Sequence, residues 1–219
     1  TVVSLAPAYL GILDYEKPGQ VVDALLKLGF SEVRETAEGA AYVTEAYTKL
    51  LEAGQMKNII STCCPSVNEL VEKYYPELVE DMAPVVSPMV AHGKLIKAMY
   101  GPDVKVVFVG PCIAKKQEAE GDDRTTGFVD AVLNFEEVES WLQERDISIR
   151  KCEEKQPANP DPKVNRLYPV TSGVISSVLA KKKVDSYKKI FVDGLEDCRE
   201  VFEDMKKGLI EGCFIEANM

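Results

Sequence analysis

Short apolar runs of strand length recur at Val2-Val3-Ser4-Leu5, Asn58-Ile59-Ile60-Ser61, Val104 to Val109, Ile190-Phe191-Val192 and Cys213-Phe214-Ile215. Between them the apolar positions repeat with helical spacing. This alternation predicts an α/β fold with a substantially parallel sheet. Helix ends are marked locally. Pro18 opens a segment with Val21, Val22, Leu25 and Leu28 on one face, and Gly29 closes it. Asn134 and Glu137 form a capping-box pattern ahead of Phe135, Val138, Trp141 and Leu142. Ser87-Pro88 marks a further start, before Val90, Leu95, Ile96 and Met99, all expected in the core.

The stretch from Glu153 to Lys163 carries three prolines and almost nothing apolar, which predicts an exposed connection. It would separate lobes 1–152 and 164–219. A chain of 219 residues suits one large α/β domain or two packed lobes, and buries roughly 70% of its unfolded surface. The 46% hydrophobic content contains no run near the ~20 residues of a membrane helix, so no membrane association is expected. A net charge of -10, with one basic run at Lys181-Lys182-Lys183, argues against nucleic-acid binding. The first residues lack the features of a signal peptide, so a cytoplasmic location is expected. Starting on Thr1 and ending on Met219 in mid-pattern, the sequence reads as a piece of a longer protein.

Six cysteines in a cytosolic chain read as ligands or reactive thiols rather than disulfides. Cys63 and Cys64 follow an apolar strand and precede a helix with Val67, Leu70 and Val71. That places them at a strand's carboxyl end, where open α/β sheets bind ligands, and a nearby helix N-terminus favours thiolate. Neighbouring side chains diverge, so one ligand plus one free thiol is the natural division. The strand ending at Val109 runs into Gly110-Pro111-Cys112-Ile113-Ala114-Lys115-Lys116-Gln117-Glu118, repeating the order strand, turn, cysteine, helix. If the two strands are neighbours, Cys64 and Cys112 face a shared pocket. Lys115 lies one turn beyond Cys112, where an ammonium can donate to an anionic ligand of a metal centre, which a structural zinc site does not need.

Thr62-Cys63-Cys64-Pro65 resembles the first H-cluster motif of FeFe (iron-only) hydrogenases, and Pro111 to Glu118 resembles the second. Ala6-Pro7-Ala8 and Thr171-Ser172-Gly173-Val174, similar to that family's Thr-Gly-Gly-Val segment, extend the resemblance over nearly the whole chain. The resemblance implies an iron-only hydrogenase-like α/β fold of two packed lobes. It implies Cys64 and Cys112 as ligands of a [4Fe-4S] cubane joined to a diiron unit with CO and cyanide, and Cys63 as proton donor. Lys115 would hold a cyanide by a charge-assisted hydrogen bond, with Pro7, Ala8 and Pro111 lining the pocket. The implied partners are hydrogen and protons, a ferredoxin-like donor or fused iron-sulfur domain, and maturation proteins. An anaerobic oxidoreductase is thereby expected.

The family's remaining cubane ligands come from a Cys-x-x-x-Cys motif after a strand ending in Glu. Gly212 to Met219 resembles the approach to it, so a fragment with this truncation would hold an incomplete cluster and be inactive. Several positions depart from the pattern: Ala8, Val67, Met89, and Gly110 where a methionine is frequent. The segment Thr44 to Lys49 does not reproduce the family's glutamate relay, with Glu45 as its nearest candidate. These departures leave open a hydrogen- or redox-sensing domain with little turnover, or an iron-sulfur assembly scaffold, although Cys63 and Lys115 argue against the scaffold. Structural roles are expected for His92, as a surface or partly buried side chain without a partner, and for Cys152, Cys198 and Cys213 as small hydrophobes. Tyr168 takes the place of an aromatic near the family's cluster. The acidic helix around Glu196, Asp197, Glu200, Glu203 and Asp204 reads as solvated surface.

Overall fold

A computed structural model describes residues 1–121, 125–159, 163–181 and 186–219. The basic run's Lys182 and Lys183, and part of the proline-rich stretch, lie outside the described residues. The fold is α/β, with two parallel sheets flanked by helices. Two compact units are present, Thr1–Ala40 with Pro88–Arg166, and Ala41–Ser87 with Leu167–Met219. They interleave along the chain, so the division differs from the expected lobes 1–152 and 164–219.

The first unit is built on β1 (Val2–Leu5), β2 (Glu32–Glu35), β4 (Val106–Val109) and β5 (Ala131–Leu133), in the order β2-β1-β4-β5, all parallel. Its helices are α1 (Tyr9–Ile12), α2 (Gly19–Lys27), the start of α3 (Ala37–Ala53), α5 (Pro88–Tyr100), α6 (Ala114–Gly121) and α7 (Phe135–Glu144). The core packs Val3, Leu5, Val107 and Val109 against Val21, Val22, Leu25, Val138 and Leu142. Both helix signals are met. Gly29 takes φ 105° after α2, and the Asn134–Glu137 box is closed in both directions at 2.8 Å, worth about 1 kcal/mol over an uncapped start.

The second unit has β3 (Ile59–Ile60), β6 (Lys188–Asp193) and β7 (Cys213–Asn218) in the order β3-β7-β6, again parallel. Around it lie the rest of α3, α4 (Pro65–Tyr74), α8 (Gly173–Lys181) and α9 (Leu195–Lys206). Val67, Val71, Phe202, Cys198 and Ile215 form its core. On α9, Glu196, Asp197 and Glu200 are exposed and Glu203 and Asp204 partly so. No helix among the described residues is long and apolar enough to cross a membrane.

Four findings differ from the sequence reading. Strands β2 and β5 carry no long apolar run: β2 is Glu-Val-Arg-Glu, yet Arg34 and Glu35 are buried because each is ion-paired, Arg34 with Glu32 and Glu38, Glu35 with Arg166. Residues 153–159 are not a free connection. Ala158 N–H donates to the Val33 carbonyl at 2.9 Å, and the Asn159 side chain takes the Glu35 N–H at 2.9 Å and gives its amide to the Glu35 carbonyl at 3.1 Å. Asn159 thus stands in for a strand on the outer edge of β2, and the segment joins the first unit.

Met99 is exposed, because Val90 and Ile96 take the buried face of α5. His92 is fully buried and has partners: Nδ1 is 2.7 Å from Ser4 Oγ and Nε2 is 3.2 Å from Glu38 Oε2. Ser4 continues to Thr36 at 2.8 Å, and Glu38 to Arg34 through two bonds at 3.0 Å. The apolar periodicity of α5 could not reveal a polar chain supplied by β1, β2 and α3.

Candidate functional site

In the first unit the strand order reverses at β1, whose neighbours β2 and β4 are reached in opposite directions. The carboxyl ends of β1 and β4 at such a switch point are where open α/β sheets bind ligands. Ala6-Pro7-Ala8 leaves β1 there and Gly110-Pro111-Cys112 leaves β4, tied by Ala6 N–H to the Val109 carbonyl at 2.8 Å. Pro7, Ala8 and Cys112 are partly exposed and Pro111 is exposed. A Cβ on Gly110 would lie 2.7 Å from the Phe108 ring and 2.9 Å from Ala6 Cβ. Phe108 therefore fills the space that a side chain at this position would use.

Cys112 lies two residues before α6, its carbonyl accepting the Lys115 N–H at 3.3 Å. Lys115 is buried, and its ammonium donates to Glu118 Oε2 at 2.6 Å. Both belong to the second motif, so the lysine is held by an acid three residues on. A buried ion pair tolerates loss of one partner poorly, at roughly 3–5 kcal/mol. Beside this rim, Glu35 at the end of β2 is fully buried, held by Arg166 at 2.8 and 2.9 Å and by the Tyr9 hydroxyl at 3.1 Å. Burial, then the Glu35 charge, pushes the Tyr9 phenol far up from its ordinary value.

In the second unit, Ser61-Thr62-Cys63-Cys64 leaves the carboxyl end of β3. Cys64 is the N-cap of α4 with extended backbone, and Pro65 occupies the first turn, where its missing N–H costs nothing. The Cys64 sulfur is nearly buried against the unit's core, 3.8 Å from the Met219 carbonyl. Cys63 is partly exposed, so the doublet does diverge. Its sulfur lies 3.7 Å from the hydroxyl of Tyr47, which is wholly buried on α3. Tyr47 also receives the Thr62 N–H at 2.8 Å.

Burial, then the nearby Cys63 sulfur, holds the phenols of Tyr47 and Tyr168 well above their ordinary value. Tyr168 bonds Thr44 Oγ1 at 2.8 Å and belongs to the surroundings of Cys63. Glu45 does not: it pairs with Lys49 at 2.7 Å on the solvent side of α3. Fully buried Glu216 on β7 accepts the Val174 and Ile175 N–H groups at 3.2 and 2.8 Å, pinning the start of α8. Burial pushes its carboxyl up, against these hydrogen bonds.

The predicted residues thus fall as Pro7, Ala8, Pro111, Cys112 and Lys115 in one unit and Cys63 and Cys64 in the other. Sequence reasoning missed Tyr47, Glu35, Arg166 and Glu216. An acidic residue ending a strand and a tyrosine on an otherwise apolar helix face were the available signals. Cys152, Cys198 and Cys213 are buried, as expected for small hydrophobes, and burial, then Cys64, pushes the Cys198 thiol up to about 11. Among the described residues no three Cys, His, Asp or Glu side chains are grouped as ligands of one ion. Each unit thus carries one motif cysteine between the carboxyl end of a parallel strand and a helix, Cys112 in the first and Cys64 in the second.

The chain is similar to known iron hydrogenases. Iron hydrogenase 1 of Clostridium pasteurianum is 28% identical over a stretch covering 75% of this chain and 32% of that protein. The periplasmic Fe hydrogenase large subunit of Nitratidesulfovibrio vulgaris is 29% identical, covering 89% and 53%. The chain therefore spans about a third to a half of these relatives' length. A variant of the FeFe-hydrogenase HydA1 from Chlamydomonas reinhardtii has the same fold, with TM-score 0.73, 20% identity, and coverage of 99% of this chain and 76% of that one. The family model described as iron only hydrogenase large subunit, C-terminal domain, matches residues 1–219, and the chain belongs to that family.

Proposed function

We propose that this chain is the H-cluster-binding domain of a longer FeFe hydrogenase-like protein that interconverts protons and hydrogen. What supports the reading is the repeated element: in each unit a parallel strand is followed by a motif cysteine and then a helix. Cys64 and Cys112 serve as thiolate ligands, the remaining ligands coming from elsewhere in the full protein. When bound, the cluster supplies the redox-active iron. Cys63 holds and passes the proton. Lys115, paired with Glu118, donates to an anionic ligand, and Pro7, Ala8 and Pro111 bound the site with small groups. Electrons come from a ferredoxin-like donor or a fused iron-sulfur domain, and maturation proteins install the diiron unit. A second reading, hydrogen or redox sensing with little turnover, draws on a specific observation: the Cys63 sulfur lies against a phenol, and Glu45 faces solvent.

The test is infrared spectroscopy of the full-length, matured protein, which should show bands of bound CO and cyanide. Cys64→Ser and Cys112→Ser should each abolish them. Lys115→Ala alone would strand Glu118, so the lysine is tested as Lys115→Met with Glu118→Gln, expected to shift the cyanide bands against Glu118→Gln alone. Bands unchanged in both cysteine variants would refute the ligand assignment. Turnover against a bound-state response to hydrogen separates the two readings.

A further inference from the structure

Tyr47 links three parts of the second unit. Its ring packs on Phe214 of β7 at 5.5 Å between centroids, and its hydroxyl reaches the Thr62 N–H at 2.8 Å, Thr62 Oγ1 at 3.2 Å and Cys63 Sγ at 3.7 Å. The turn ahead of Cys63 is otherwise held by Ser61 N–H on the Ile215 carbonyl at 2.8 Å and by Asn68 Nδ2 on the Thr62 carbonyl at 3.2 Å. Thr62 Oγ1 gives its own proton to the Val85 carbonyl at 2.6 Å. It therefore meets Tyr47 as an acceptor, and the phenol proton is shared between Thr62 Oγ1 and the Cys63 sulfur.

We propose that Tyr47 is the positioning residue of Cys63, fixing the backbone before the thiol and presenting a neutral O–H to its sulfur. This rests on the reading of Cys63 as the proton-carrying thiol. Full burial keeps the phenol protonated, so it acts as a donor throughout the working pH range. A thiol held in one rotamer by a fixed donor delivers its proton along one direction, a geometric contribution to rate rather than to affinity.

The test uses the full-length protein. Infrared spectra in the S–H stretching region, with Cys63→Ser to assign the Cys63 band, are compared for the parent, Tyr47→Phe and Thr62→Ala. Tyr47→Phe keeps the ring on Phe214 and removes the donor, so the band moves toward the position of an unbonded thiol. Thr62→Ala leaves the phenol proton to the sulfur alone, and the band moves the opposite way. Loss of a merely structural contact predicts no such pair of opposite shifts. In the matured protein, Tyr47→Phe should lower kcat for hydrogen turnover by roughly tenfold at unchanged KM, the equivalent of one hydrogen bond lost in the transition state. An unmoved Cys63 band in Tyr47→Phe would overturn the inference while leaving Cys63 in place. Full turnover in Cys63→Ser would instead overturn the underlying reading.

Discussion

His92 makes the first unit sensitive to acid. The neutral ring satisfies every neighbour in one arrangement: Nε2–H donates to Glu38, Nδ1 accepts from Ser4, and Ser4 accepts from Thr36. A second proton on the ring would turn the Ser4 bond around, force Thr36 to reorient, and set a cation near the Arg34 guanidinium. Burial accordingly holds His92 below its ordinary value of 6.5, the Glu38 carboxylate opposing part of that effect. The unfolded chain then binds more protons than the folded one as pH falls below 6.5, so stability is lost in that direction. The slope is at most about 1.4 kcal/mol per pH unit for one group. Glu38 adds a later loss. Burial favours its neutral form, but hydrogen bonds from His92 and Arg34 bring it down to about 2, so its contribution is complete above 4.5 and disappears toward 2.

His92→Gln removes the titration while keeping a polar side chain. It should cost about 1–3 kcal/mol at pH 7.5 through poorer pairing of Ser4 and Glu38. It should also flatten the stability profile from pH 6.5 to 4.5. Urea unfolding followed by circular dichroism, at half-unit pH steps, gives both quantities. Parallel profiles for the parent and His92→Gln over that window would show that the proton uptake lies elsewhere.

Further predictions concern backbone, edge and charge. Ser172 adopts φ 58° where the family motif carries glycine, so Ser172→Gly should stabilise by about 1 kcal/mol, read as a raised Tm. Gly173→Ala should do the opposite, because its Cβ would lie 1.8 Å from the Leu167 carbonyl oxygen, and partial unfolding of α8 by hydrogen exchange would register it. Arg166→Met should cost roughly 3–5 kcal/mol by leaving buried Glu35 without its guanidinium, and adding Glu35→Gln should recover much of that loss in a double-mutant cycle. Asp130 is held at about 2, burial being outweighed by Lys105, the Val106 N–H and Lys97, so Asp130→Asn should lose stability at neutral pH and little at pH 2.

Much of the fold was legible because apolar runs mark β1, β4, β6 and β7, and because Pro18, Gly29, Asn134 and Pro88 act locally through their own backbone chemistry. Strand β2 was not legible, since its Arg34 and Glu35 are buried by partners 2 to 131 residues away, which no single window on the sequence brings together. The cysteine motifs stood out because each combines a strand end, a turn and a helix start in a few residues. Tyr47 did not, since its importance comes from Thr62 and Cys63 packing against it from a different element.

The Asn159 amide on Glu35 has a consequence for self-association. An outermost parallel strand normally offers a ladder onto which another chain can add, the starting point of swapped dimers and fibrils. Here residues 158 and 159 already occupy that ladder from within the same molecule. Growth from this flank requires peeling them away first, so the flank is sealed by two residues of a segment that composition alone marks as a mere spacer.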